Sequence, residues 1–470
     1  MPATLDPEPV MTDNSKVTRG YSNGHNGASE SIKVKTCTNG NKVTVTFPDG
    51  EFVYHSQWLH DTRCDGPLGA ARNVDTAICA QPLELVHVTS AKVTRNAGRA
   101  ELNVSWDNGQ TSHFPVEWLR VIAPSVASPT NGEKATKPND LNKGWQVDSL
   151  RIPEVSYHDI FDDEDHIRLN QVYLTILDHL LHPSSPGLIK ITNMPPPNFE
   201  DELNHVNNLN TLILKKLFGS VFAHPTLGND KSFNVSSRAT EAEKRKELPN
   251  YDTDQVLLPH ADHAFYEQPI QVQGWYILEG TSENTFVSVP ASLETLKQEA
   301  PELYVSLLNT PVALGRVSGF YGQDVYQMTV DTAVSMVPGT KDFKRIRWHP
   351  NFIASILGPY DGYLEARRAQ QKFLEIMRRP THQLSLKLGP GDMFIWDNYR
   401  VLHGRERVYD TPRTGVGQTV PEQVVHDKYR ALVIELLRGR INDQWLVHLP
   451  MHQLREMLRL FQEERYSFTN

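Results

Sequence analysis

Two periodicities divide this chain. Over Lys42–Phe47 the apolar residues Val43, Val45 and Phe47 alternate with Lys42, Thr44 and Thr46, and the turn Pro48-Asp49-Gly50 follows. A period of two ending on such a turn predicts a strand and a hairpin. The pattern returns in Glu101–Trp106, the turn Asp107-Asn108-Gly109 and the run Gln110–Phe114. Each copy stands near a Trp-Leu pair, Trp58-Leu59 or Trp118-Leu119. Together they predict a small β-rich N-terminal domain over residues 33–123. Residues 1–30, rich in Asn, Ser, Gly, Pro and Thr, read as a disordered tail. Residues 124–144 are dense in Pro, Ser, Asn, Lys and Gly and read as a linker.

The remainder, 145–470, carries both periods. Asn170–Leu181 and Leu364–Met377 read as amphipathic helices, the second stopping before Pro380. Pro186–Ile191 and Ile270–Leu278 read as apolar strands, with a charged insert at Arg238–Asn250 ahead of the second. Leu384, Leu386 and Leu388 alternate with polar residues, Gly389–Asp392 reverses the chain, and Met393–Trp396 returns. The closing segment Leu449–Phe461 stripes Leu454, Met457, Leu458 and Phe461 along one helical face, as core or as a subunit contact that leaves a homodimer open.

Composition narrows the class. The 470 residues are 39% apolar and 22% charged, within the ordinary globular range. A formal charge of −9 argues against nucleic acid as a partner. No apolar run has the roughly 18–20 residues of a membrane span. Acids at Asp6, Glu8 and Asp13 suit neither a secretory signal nor a transit peptide. Cys37, Cys64 and Cys79 are too few for a disulfide framework, so a reducing, cytoplasmic setting is expected.

The candidate chemistry lies in Leu258–Tyr266. His260 and Asp262 stand two residues apart, and in an extended strand would share one face, about 6–7 Å apart. Such pairs are common by chance, so a third ligand is required. His403, in Asp397-Asn398-Tyr399-Arg400-Val401-Leu402-His403-Gly404-Arg405, is the best candidate, 141 positions beyond Asp262. Two His and one carboxylate on one face form the triad of non-haem Fe(II) oxygenases, which keeps positions open for cosubstrate and O2.

The pair His260/Asp262, the turn Gly389-Pro390-Gly391-Asp392 and the run Asp397–Arg405 closely resemble the Fe(II)/2-oxoglutarate dioxygenases of the taurine dioxygenase superfamily. The likeness is nearest to the γ-butyrobetaine and trimethyllysine hydroxylases, whose N-terminal module has a W-L-x-D motif like Trp58-Leu59-His60-Asp61. The resemblance implies a double-stranded β-helix, or jelly roll, flanked by helices. It implies Fe(II) on His260, Asp262 and His403, with 2-oxoglutarate and O2 as cosubstrates and succinate and CO2 as products. It assigns the distal carboxylate of 2-oxoglutarate to an Arg on a strand after the second His. Arg430, in Tyr429–Leu432, matches best, with Arg413 the alternative in a loop, Thr411–Lys428, that could serve as a lid. Thr285 matches a hydroxyl that helps hold the cosubstrate.

Three departures bear on the substrate. Relatives hold a structural zinc with three Cys and a His, whereas here the segment reads Cys64-Asp65-Gly66-Pro67-Leu68-Gly69 and Gln110 replaces the His. No zinc is expected. Ser282-Glu283-Asn284 replaces the family's Gly-Gly turn before Thr285. The aromatic cage for a trimethylammonium group is thinned, with Leu436 and Asn229 at two ring positions and Phe233 at a third, while Tyr251, Phe265 and Tyr266 are left to line the pocket. The expectation is an oxygenase acting on an unactivated C–H bond of a small, amino-acid-like metabolite. The alternatives are a carnitine-pathway hydroxylase and a non-catalytic binding protein on the same scaffold.

Overall fold

In this computed structural model the described residues are 32–63, 85–96, 99–129, 144–161, 165–202, 207–222, 232–237, 255–320, 323–337, 342–408, 412–447 and 449–462. The predicted tail, the Cys64–Gly69 segment, the Arg238–Asn250 insert, Asn229 and Tyr251 lie outside them.

The N-terminal alternation becomes two small antiparallel sheets. One joins β1 (Lys33–Thr36), β2 (Lys42–Phe47) and β3 (Gly50–His55); the other joins β4 (Val88–Asn96), β5 (Arg99–Trp106) and β6 (Thr111–Pro115). Val43, Val45, Leu102 and Val104 are fully buried because every second residue faces the core. Trp58 and Trp118 stack at 5.7 Å, and Trp118 meets Trp445 at 4.6 Å, so the module shares one continuous core with the C-terminal helices. The helix Val116–Val126 runs into the stretch expected as linker, since its Val121 and Ala123 belong to that core. Beyond it, β7 (Ser128–Pro129) pairs with β3.

The larger part is mixed helix and strand rather than mostly β. A six-stranded sheet is ordered β10-β22-β12-β20-β9-β8, from β8 (Glu154–Ser156), β9 (Leu188–Thr192), β10 (Phe233–Ser236), β12 (Ile270–Glu279), β20 (Met393–Asp397) and β22 (Thr414–Pro421). A four-stranded sheet is ordered β11-β21-β13-β19, from β11 (Leu257–His260), β13 (Ser282–Ser288), β19 (Gln383–Leu388) and β21 (Val401–Arg405). Leu188, Ile277, Phe394 and Trp396 from the first sheet pack on Phe286, Leu388 and Val401 from the second, so the sheets enclose a shared interior. An insert of β14 (Pro311–Phe320), β15 (Gln323–Thr332) and β18 (Ile353–Ile356) forms a third sheet.

Two expectations fail here for one reason. Residues 412–428 are not an open loop, and Tyr429–Leu432 is not a strand: β22 is followed by the helix Glu422–Leu437. Val425, Tyr429, Leu432 and Val433 recur at helical spacing and bury one stripe in the large core, which overrides a reading by motif alone.

Candidate metal centre

His260 closes β11 and lies directly opposite His403 in β21. Cross-strand partners share a face, so both imidazoles enter the space between the sheets. The strand stops at His260, and Asp262 arrives from the following turn rather than by strand alternation. One ligand atom from each of His260, Asp262 and His403 lies within 4.8 Å of the others. Nε2 of His260 is 3.4 Å from Oδ1 of Asp262, and Nε2 of His403 is 3.6 Å from Oδ2.

The surroundings prepare these groups as ligands. Nδ1 of His260 is 2.9 Å from the Leu258 carbonyl, so its N–H donates there and Nε2 is left as the lone pair. Gln273 donates to Oδ2 of Asp262 at 2.7 Å. Asn398 accepts from the Asp262 N–H at 3.2 Å and donates to its carbonyl at 3.1 Å, clamping the turn that carries the carboxylate. Burial, with the His260 charge adding to it, holds His403 down at about 4. Burial opposes the Asp262 charge, but the adjacent His260 and His403 rings outweigh it and keep this carboxyl well below the usual range. An imidazole that burial keeps from protonating, as at His403, beside an ionised carboxylate suits a divalent ion.

Of the two arginines, Arg413 is the one at this interior. It is 3% exposed, with Nε 2.8 Å from Ser282 Oγ, Nη2 3.4 Å from Asn284 Oδ1 and the guanidinium 5.5 Å from the Trp275 ring. Burial, helped by the neighbouring Arg405 charge, pushes its pKa down to about 9. No carboxylate pairs with it among the described residues. A buried cation among neutral partners is a site waiting for an anion. Arg430, by contrast, sits on the helix Glu422–Leu437 and donates to the Leu449 carbonyl at 2.7 Å, so its guanidinium serves a helix–loop contact.

Thr285 is opposite Gly404, and the next residue, Phe286, is opposite His403. By strand alternation Thr285 therefore faces away from the interior, and Ser282 and Asn284 are the β13 side chains that meet Arg413. Leu436 is likewise remote in kind, packing with the helical core rather than lining a pocket. Phe233, Phe265 and Tyr266 do gather beside the triad, around His263. Tyr266 stacks on His263 at 4.8 Å and 9°, while Phe233 and Phe265 approach it edge-on at 6.1 and 6.0 Å. His263 holds a φ of 56°, a costly backbone for a non-glycine residue, immediately after the metal-ligating turn. Arg347 donates to the carbonyls of Ala264, Tyr266 and Glu267 and fixes the loop that presents these rings.

Sequence reasoning missed Phe222, 5.5 Å from Tyr266, and the roles of Gln273, His263 and His349. The signal for Gln273 was present: Gln271 and Gln273 are polar positions inside an apolar strand.

The chain is similar to several known proteins. The family described as "Taurine catabolism dioxygenase TauD, TfdA family" matches residues 199–418, and "Gamma-butyrobetaine hydroxylase-like, N-terminal" matches 93–168. The chain is 21% identical over 394 residues to the mitochondrial trimethyllysine dioxygenase of Bos taurus, covering 81% of this chain and 83% of that protein. It is 27% identical over 376 residues to the gamma-butyrobetaine dioxygenase of Pseudomonas sp. (strain AK-1), covering 77% of this chain and 86% of that protein. Among solved structures, a putative alpha-ketoglutarate-dependent taurine dioxygenase from Burkholderia xenovorans matches 58% of this chain and 90% of its own, at 16% identity and a TM-score of 0.40. Together these matches support a TauD-superfamily Fe(II)/2-oxoglutarate-dependent dioxygenase, near the trimethyllysine and γ-butyrobetaine enzymes.

Proposed function

We propose that this dioxygenase binds Fe(II) through His260, Asp262 and His403 and 2-oxoglutarate through Arg413, and oxidises an unactivated C–H bond of a small, amino-acid-like metabolite. The convergence of three ligand atoms within 4.8 Å carries the reading. The strand order supports a double-stranded β-helix around the site, because the eight strands β10–β13 and β19–β22 divide four and four between the facing sheets.

The bound metal and cosubstrate would supply the oxidant and consume O2 and 2-oxoglutarate. The chain's own residues do the rest. His260 and His403 present lone pairs, Asp262 supplies the balancing charge, and Gln273 and Asn398 keep that carboxylate turned inward. Arg413 would hold the distal carboxylate bidentately, in the geometry for which a guanidinium is suited, and Ser282 and Asn284 would orient its fork. The test is succinate formation from 2-oxoglutarate with Fe(II), screened against amino acids and amines, beside His260→Ala. Absence of both iron binding and succinate would overturn the reading.

A second reading, a trimethyllysine or γ-butyrobetaine hydroxylase, is favoured by the ring cluster of Phe222, Phe233 and Tyr266 around His263, which could face a quaternary ammonium. Turnover of either compound would establish it. A cytoplasmic site of action is proposed from the low cysteine count, and cell fractionation tests it. No helix of the described residues is long and apolar enough to cross a membrane.

A further inference from the structure

His349 is buried against the metal ligands with both ring nitrogens unsatisfied. It is 1% exposed, and its ring centroid is 4.5 Å from that of His260 and 4.0 Å from that of Phe352. Neither Nδ1 nor Nε2 has a hydrogen-bond partner among the described residues. A buried polar atom left unpaired is destabilising, and an imidazole brings one donor and one acceptor. Leucine or phenylalanine would fill the same place without that cost. His349 also stands outside the group whose ligand atoms converge on a metal. Its nitrogens are therefore left for a bound molecule.

A cation approaches the same place from the insert sheet. Arg316 of β14 puts its guanidinium 5.8 Å from the ring centroids of both Phe265 and Phe352. Its charge acts on His349, His263 and Tyr266. The position two residues earlier, Leu314, is fully buried with Phe265 and Phe352, so this face of β14 looks onto the loop after the metal ligands. A ring N–H and a guanidinium, set between aromatic walls, repel a cationic group and suit a planar anion that accepts from both.

We propose that His349 and Arg316 form the receptor for a carboxylate of the substrate, seated beside the metal under the insert sheet. The enzyme then selects small carboxylic acids and turns a carbon near that carboxylate towards the metal. This rests on the oxygenase reading and deepens it by naming the substrate class.

The test uses the full chain loaded with Mn(II) and 2-oxoglutarate under argon, so that no turnover occurs. Melting is followed with two matched pairs: butyrate against butyramide, and L-lysine against 1,5-diaminopentane. The acid of at least one pair is expected to raise the melting temperature at a concentration about tenfold lower than its partner, a difference of about 1.4 kcal/mol. Arg316→Met and His349→Leu are expected to erase that preference while Mn(II) still binds, and Arg316→Lys to keep part of it. His349→Leu without ligand is expected to melt higher than the unaltered protein, which a merely structural histidine would not do. Equal shifts for acids and partners, no shift included, or a preference that survives both variants, would overturn the proposal. Failure of the unaltered protein to bind Mn(II) would instead overturn the oxygenase reading.

Discussion

Gln273 donates from its side-chain amide to Oδ2 of Asp262 at 2.7 Å, and so ties the metal-ligating turn to the six-stranded sheet. The same oxygen faces His403, so the bond sets which way the carboxylate presents itself. Outer groups of this kind typically change metal affinity 10–100-fold when removed, by letting the ligand rotate. Gln273→Leu is therefore expected to weaken Mn(II) or Fe(II) binding by about that factor with little change in folding. A metal titration of the purified variant checks it, and an unchanged affinity would show that the turn is held by Asn398 alone.

The two arginines give a direct comparison. Arg413→Met removes the buried cation that faces the interior, and loss of one partner from a buried charge pair costs about 2–5 kcal/mol, or at least about thirtyfold in affinity. The 2-oxoglutarate concentration for half-maximal succinate formation should rise accordingly. Arg430→Met removes a hydrogen bond to the Leu449 carbonyl; it should leave that concentration unchanged and lower stability by about 1 kcal/mol. The opposite ranking would return the cosubstrate role to Arg430.

These arginines also mark where the sequence is legible. Local pattern places β2, β5, β12 and the helix Tyr363–Met377 within a residue or two, because β2, β5 and the helix each bury a regular stripe and β12 is an apolar run buried on both faces. The candidate metal ligands stand out because Asp397–Arg405 is dense in groups with specific tasks: Asn398 clamps Asp262, and Arg400 donates to the carbonyls of His182 and Ser185. The choice of arginine is not readable from a short motif, since Tyr-Arg-Ala-Leu fits a strand or a helix equally. The pairing of β22 with β12 sets Arg413 at the head of a strand, while Arg430 falls on the following helix. Thr285 fails for a related reason, because a face is set by register with β21, and one residue of slip reverses it. His349 was silent because nothing in a sequence says which nitrogens are left without partners, and Arg316 because only the fold sets it against Phe265 and Phe352.

Stability should respond to acid through opposed groups. His403 is held at about 4 in the fold against an ordinary 6.5, by burial first. Its contribution is present above 6.5 and lost as pH falls towards 4. Asp397 is raised to about 7 from 3.8, again by burial first, with Arg400 opposing. Its contribution has the other sign: it is fully present below 3.8 and lost as pH rises through 7. Metal-free Asp397→Asn should therefore lose stability more steeply than the unaltered protein between pH 7 and 4, because only the latter gains from protonating Asp397. Urea unfolding at several pH values across that window reads the difference. Parallel curves would mean that Asp397 is ionised in the fold.

Gly417 tests whether the ring cluster is packed to order. It lies opposite Phe233 in the β10–β22 pair, and a Cβ there would run into the Phe233 ring. The ring has little room to swing away, since its centroid is 6.1 Å from both His263 and Trp275. Overpacking of this kind costs about 1–3 kcal/mol, and the strain passes to His263, whose backbone is already in the left-handed region. Gly417→Ala should lower the melting temperature and also weaken substrate-dependent turnover, with metal affinity retained because no metal ligand touches that ring. Gly362→Ala is the matched control: its nearest neighbour would be a Pro359 carbon at 3.7 Å, an ordinary contact, so stability should stay within about 0.5 kcal/mol. If both alanines behave alike, Phe233 moves freely, and its ring does not help to shape the pocket.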